Sequence, residues 1–358
     1  MNTLLDSREE VKAFDQANML ASIEMIGSQV QHVWQKAQEL TFSPAVKKVK
    51  NVVVAGMGGS VLGTHVIQTL YKDHLQVPVV IAPDYTVPSF VNEETLVIAS
   101  SYSGTTEETL SAVKDAHAKG AQITGITSGG ALAEFLHANN YPVLVFETEF
   151  NPCDQPRMGL GYSIFGQMAV FAQAGLIEIS EADYQQVLEV IAQMHLQYSI
   201  EIPQQRNLAK LLAYQALDKI PVITAAEHLE GMAHVFANQL NENAKTFSEY
   251  RIIPELNHHL MEGLQFPHTL ESSLLWMIFD STLYVSANQN RLRLTQQVLE
   301  KHHLESEVHQ LQAQTPVGQA FELLMLGTYT AYYLALLNHV NPSPIPNVDW
   351  FKAELKKM

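Results

Sequence analysis

The sequence predicts an α/β protein of two domains, each a mostly parallel sheet flanked by helices in an αβα sandwich. Three observations predict it. Short apolar runs of strand length alternate with helical patterns, as βαβ units require. The alternation occurs twice along the chain, the second time as a weaker copy. The length, 358 residues, suits about two domains at roughly 150 residues each.

In chain order, residues 1–47 read as a helical extension, with Val11, Phe14, Met19, Ile23, Ile26, Val30 and Val33 at mixed spacings of three and four. Residues 48–152 form the first domain. Its apolar runs at 51–55, 77–81, 95–99, 121–126 and 143–146 read as buried parallel strands, and helical patterns occupy 60–71, 106–119 and 131–139. Residues 153–202 read as a helical connector. The second domain, 203–340, carries strands at 220–224, 273–279 and 305–311 and helices at 227–239, 290–301 and 321–337. Prolines 342, 344 and 346 make 341–358 an extended tail that enters a last short helix.

Composition narrows the function. Hydrophobic residues at 47% are ample for packed cores. Charged residues at 16% fall below the roughly 25% of an average domain. With 21 Lys and Arg against 37 Asp and Glu, the formal charge is −16. Nonspecific contact with nucleic acid or an anionic membrane needs clustered cations and is not expected. A single cysteine, Cys153, excludes an internal disulfide and a cysteine-based metal cluster. Residues 1–15 carry no long apolar run, and no stretch approaches 18 continuous apolar residues. The expectation is a soluble, cytoplasmic protein.

Five segments and the tail concentrate candidate chemistry. Gly56-Met-Gly-Gly-Ser60 follows a strand and opens a helix. Such a turn brings backbone N–H groups close to an anion, with Ser60 at the N-cap position; it also serves as a plain strand–helix turn. A dinucleotide fingerprint fits poorly, because its third glycine would fall at Val61. Ser101-Tyr-Ser-Gly-Thr-Thr106 stands at the next strand end. Ser101, Ser103 and Thr106 supply donors for a neutral phosphate cradle; a capping box with Thr105 or Thr106 as N-cap reads the same residues structurally. Two such loops in one sheet converge on one crevice.

Gln239-Leu-Asn-Glu-Asn-Ala-Lys245 ends a helix, and Pro254-Glu-Leu-Asn-His258 follows. Glu242 and His258 are a candidate base and proton shuttle, or a solvated helix-end acid and a loop histidine. His258 and Glu262 share a helix face, but a zinc site needs three or four ligands, so no metal is expected. Arg157, in Gln155-Pro-Arg157, is an anion or oxyanion partner or an interdomain ion-pair member. Lys352 reaches back to a site or is a solvated lysine on a terminal helix.

Taken in order, these motifs resemble those of the bifunctional phosphoglucose/phosphomannose isomerases, sugar isomerase (SIS) domain proteins of the phosphoglucose isomerase superfamily. The resemblance runs from about residue 15 onward. It implies two SIS domains, no cofactor, and a homodimer with sites at the subunit interface. The implied reaction interconverts glucose 6-phosphate or mannose 6-phosphate with fructose 6-phosphate. It further implies that Gly58, Gly59 and Ser60 approach the sugar and that Ser101, Ser103 and Thr106 bind the phosphate. Arg157 would stabilise the enediolate, and Glu242 would move the proton between C1 and C2. His258 of the other subunit would help open the ring, and Lys352 would assist near the ring oxygen.

Three places depart from the family's pattern. His259-Leu260 replaces Asn-Glu, and Thr224-Ala225-Ala226 replaces a glycine-containing loop. Ile345, with Ser343 nearby, stands where a small hydroxyl residue accompanies mannose 6-phosphate turnover. A noncatalytic sugar-phosphate sensor shares the phosphate cradle but has no need of Glu242 and His258 together. An amino-sugar isomerase would need an ammonia source or a different base.

Overall fold

The computed structural model describes residues 4–357. Two all-parallel sheets organise it. The first has strands β1 (Asn51–Gly56), β2 (Val79–Ala82), β3 (Thr95–Ser100), β4 (Gln122–Thr127) and β5 (Val143–Val145), in the order β2-β1-β3-β4-β5. The second has β6 (Ile220–Ala226), β7 (Glu249–Ile253), β8 (Leu274–Asp280) and β9 (Glu305–Gln310), in the order β7-β6-β8-β9.

Alternation along the central strands explains why the first sheet is covered on both sides. Val52, Val54, Leu96 and Ile98 face one cluster, while Val53, Ala55, Val97 and Ala99 face another with Ala112, Val113, Leu132 and Leu136. Successive strand side chains point to opposite faces, so both faces need helices. The larger cluster does not stop at the domain edge. It runs from Leu4 through the N-terminal helices and the connector into the second domain as far as Leu337.

At its centre lies the helix Pro316–Leu337, packed by the helices Glu181–Tyr198, Leu208–Gln215 and Glu230–Glu242. It is long and apolar enough to cross a membrane, yet its apolar window is wholly buried within the protein. Lys210, fully buried in that core, donates to Asp6 and to the carbonyls of Ile200 and Ile202, each at 2.7 Å.

The domains meet where the helix Leu62–Leu70 crosses the helix Glu230–Glu242. Gly231 makes the crossing possible: a Cβ there would lie 2.6 Å from Val66 Cα and 2.7 Å from the His65 carbonyl. Backbone cannot retreat as a side-chain tip can. Gly231→Ala is therefore expected to cost about 3 kcal/mol, read as a lower urea midpoint at unchanged slope. An unchanged midpoint would mean that the two helices part easily enough to admit a methyl group.

Several sequence-predicted elements shift. The second strand starts at Val79 rather than residue 77, and β8 runs Leu274–Asp280 rather than 273–279. The helix predicted from 290 begins at Ser286, and that predicted from 321 begins at Pro316 under a Thr315 cap. Helix in the N-terminal extension ends at Ala37 before a short turn at Val46–Lys48, not at residue 47. β7 is not among the predicted strands. The terminal helix forms at Pro346–Leu355, as the prolines indicate.

Candidate active site

Ligands of open parallel sheets bind beyond the carboxyl ends of strands, where the strand order reverses. In the first sheet that place lies between β1 and β3. The glycine loop and the serine loop both leave from it. Gly58–Val61 forms a 3-10 turn, so the helix starts at Leu62 and Ser60 is not its N-cap. The Ser60 hydroxyl instead accepts from the Tyr102 N–H at 3.2 Å. Its carbonyl accepts from Ser100 Oγ at 2.6 Å and Gln167 Nε2 at 2.7 Å. These bonds fasten one loop to the other. Gly58, at φ +51°, is exposed with open space where a side chain would stand.

The serine loop is organised from within. Ser101 is buried; its hydroxyl accepts from the Gly104 N–H at 3.1 Å and pairs with the Thr106 hydroxyl at 2.9 Å. Ser103 is exposed and pairs with the Thr105 hydroxyl at 3.0 Å. Gly104 sits at φ +67°, and a Cβ there would fall 1.8 Å from the Gly129 carbonyl oxygen. Thr106 occupies the N-cap of the helix Glu107–Ala118, but its side chain caps nothing. The alternative reading as a capping box at Thr106 is thus not met; its hydroxyl pairs with Ser101 instead. The first-turn N–H groups keep no side-chain cap and present the positive end of the helix dipole.

Tyr102 holds this loop from behind. Its ring meets Phe146 edge-on at 5.3 Å, and its hydroxyl accepts from Asn151 Nδ2 at 2.8 Å.

Arg157 joins the two halves. It is buried at 8% exposure, and every guanidinium nitrogen is engaged. Nε donates to Asn243 Oδ1 at 2.7 Å, Nη1 to Gln155 Oε1 at 2.8 Å, and Nη2 to the carbonyls of Pro342 and Ser343. Its Cα lies 4.0 Å from where a Cβ on Gly59 would be. Burial lowers the pKa of Arg157, and Glu242 opposes that shift most.

Glu242 is the last residue of the helix Glu230–Glu242. It is half-buried, and burial raises its carboxyl above the ordinary carboxylate range. Arg157, Lys245 and Lys352 pull it back. Arginine and carboxylate are thus brought together as a group rather than as an isolated pair.

His258 is not part of that group within one chain. The helix Glu230–Glu242 ends before β7 begins, and His258 lies in the short helix Leu256–His259 beyond the other end of β7. Five strand residues span about 17 Å, so one chain keeps Glu242 and His258 off opposite ends of that edge strand. His258 is exposed there. A cleft of about 900 Å³ opens beside it, lined by Lys72, Glu230, Arg251 and His259 among others. Among the described residues, no three His, Cys, Asp or Glu side chains gather as metal ligands. Lys352 is exposed on the terminal helix and acts on Glu242 through its charge alone. Ile345 is that helix's N-cap, whereas Ser343, with its hydroxyl buried and unpaired, is the residue against Arg157.

The second sheet has its own reversal point between β6 and β8, and it is filled. The Tyr284 hydroxyl accepts from the Ala226 N–H and donates to the Phe279 carbonyl, each at 3.1 Å. The Glu227 carboxylate accepts from the Val285 N–H and Asn288 Nδ2. A side chain of the chain itself takes the amide that an anion would use, which is what the alanines at 225 and 226 accompany. Sequence reasoning missed Tyr102, Tyr284 and Asn243. The aromatic between two serines was the available signal for the first.

Comparison with known proteins follows the same division. Residues 205–355 match the bacterial phospho-glucose isomerase C-terminal SIS domain, and residues 46–139 match the SIS domain. The chain is 32% identical to a bifunctional phosphoglucose/phosphomannose isomerase of Caldicellulosiruptor bescii, covering 95% of this chain and 99% of that protein. It is 29% identical to a protein of the same name from Thermoplasma volcanium, over 87% of this chain and 93% of that one. A hypothetical protein of Thermus thermophilus, solved by crystallography, superposes with a TM-score of 0.74 at 17% identity, covering 99% and 93% of the two chains.

Proposed function

The chain belongs to the bifunctional phosphoglucose/phosphomannose isomerase family, and on that premise we propose that it interconverts glucose 6-phosphate and mannose 6-phosphate with fructose 6-phosphate through an enediol. The observation that supports this most is the placement of Arg157. It backs the glycine loop on one side and neighbours the raised carboxylate of Glu242 on the other.

Isomerisation needs a base for the proton alpha to a carbonyl and a donor for the oxyanion that results. The phosphate rests on Ser103, Thr106 and the uncapped N–H groups of the helix Glu107–Ala118, with Ser101 setting the Thr106 hydroxyl. Gly58, Gly59 and Ser60 let the sugar lie close to the backbone. With the open-chain aldose bound, the Glu242 carboxylate takes the C2 proton. The C2–H electrons form the C1–C2 double bond, and the carbonyl pair moves onto O1 beside Arg157. Glu242 returns the proton to C1, and the O2 proton passes to O1 as the C2 carbonyl forms. Both C2 epimers lead to one enediol, so a single base serves both sugars. His258 reaches this site from a second copy of the chain and protonates the ring oxygen during opening, with Lys352 beside it.

The test is a coupled assay with chelator present. Purified protein receives fructose 6-phosphate, and glucose 6-phosphate is followed through an NADP-linked dehydrogenase. Mannose 6-phosphate is offered separately without any other isomerase. Turnover from both sugars is expected. Turnover from fructose 6-phosphate alone would remove the mannose half of the reading. Binding without turnover from either would make the chain a sensor.

A further inference from the structure

Lys245 stands one turn past Glu242 and has no part in the reaction as written. Its backbone is at φ +56°, a left-handed conformation that follows many helix ends and is normally given to glycine. A lysine there gives up backbone freedom, which draws attention to what its side chain holds. Its Nζ donates to the carbonyl of Glu242 and, at 3.0 Å, to the carbonyl of Pro342. Arg157 donates to the same Pro342 carbonyl, also at 3.0 Å. Two cations therefore converge on one tail carbonyl, although the Arg157 charge disfavours that of Lys245. Glu242 is the anion that offsets this repulsion.

The tail they grip leads directly into the helix Pro346–Leu355, which none of its own side chains buries. That helix keeps Asp349 within electrostatic reach of Arg157 and Lys352 within reach of Glu242. With so little packing of its own, it takes its position from the grip on residues 342 and 343.

We propose that Lys245 is a positioning residue that clamps the C-terminal tail onto the end of the Glu242 helix and so sets where Lys352 stands over the site. Burial brings the Lys245 ammonium down to about 8, so the clamp weakens as pH rises through that value. The charged groups facing it are Arg157 from the connector and Glu242 from the end of the preceding helix, with Asp349 and Lys352 acting on those two from the tail.

The role in turnover rests on the isomerase reading, while the clamp itself does not, and the experiment separates them. Lys245→Gly relaxes the backbone and deletes the clamp. Its thermal midpoint is expected at or above the parent's, while hydrogen exchange of the amides at 346–355 accelerates at least tenfold. If the parent isomerises fructose 6-phosphate, Lys245→Gly is expected to lose at least tenfold in kcat with a smaller change in KM. Lys245→Arg should recover part of the loss and move the alkaline limb of the pH profile upward. Unchanged exchange in the tail of Lys245→Gly would overturn the clamp, whatever the activity. Faster exchange with kcat within twofold of an active parent would overturn the role in positioning Lys352.

Discussion

Glu242→Gln is expected to lower kcat by about 10³-fold, because a general base contributes on that order and the amide cannot accept the proton. Binding of inorganic phosphate should persist, since the serine loop is built without Glu242. Stability should move little, because two effects oppose each other. Burial raises the Glu242 carboxyl, so ionising it costs the folded state at neutral pH, and Gln removes that cost. Gln also removes the largest charge that favours the buried Arg157 guanidinium.

The same shift has a sign for the pH profile of the parent. A base at Glu242 would work ionised, and burial raises its folded pKa, so kcat/KM should fall on the acid side at a higher pH than an exposed carboxylate would give. Full activity in Glu242→Gln, measured by the coupled assay, would remove Glu242 from the mechanism.

The second large effect concerns His258. If it serves the site of another copy, His258→Ala and Glu242→Gln each abolish ring-form turnover alone, yet mixing them restores activity. A mixed dimer has one site with both residues intact and one with neither. Random exchange makes half the dimers mixed, and half the sites in those are intact, so about a quarter of parent activity returns. The variants are mixed under mild denaturant and allowed to reassociate. No recovery from confirmed mixed dimers would place His258 outside the partner's site. The motive for the experiment is topological: within one chain, β7, a strand of about 17 Å, lies between the two residues.

How far the sequence alone reached follows from local pattern. β1 and β3 are continuous apolar runs that are buried along almost their whole length, and they were legible. β7, Glu-Tyr-Arg-Ile-Ile, is a half-buried edge strand with charges that blunt the edge. Nothing in its pattern marks a strand; pairing with β6 makes it one. The helix Pro316–Leu337 is buried all round, so no amphipathic periodicity marks its start. The Thr315-Pro316 pair was the usable sign, since threonine caps and proline suits the first turn.

In the site, the loop hydroxyls were readable because they act within a few residues of one another. The partners of Arg157 were not. Asn243 lies 86 positions away and Pro342 lies 185 away, and only folding brings them to one guanidinium. Ser60 shows the converse error: its local context suggested a helix cap, and a bond to Tyr102 across the crevice took precedence.

The apolar cluster that runs unbroken from Leu4 to Leu337 also limits how the molecule can move. Domains that share a large hydrophobic contact do not rock freely against each other, and the close crossing at Gly231 leaves the joint no slack. If the proposed isomerase chemistry holds, shielding of its enediol from water is then not the work of a hinge. It would fall to parts attached at the rim, such as the terminal helix, whose arrival and departure can set the tempo of turnover.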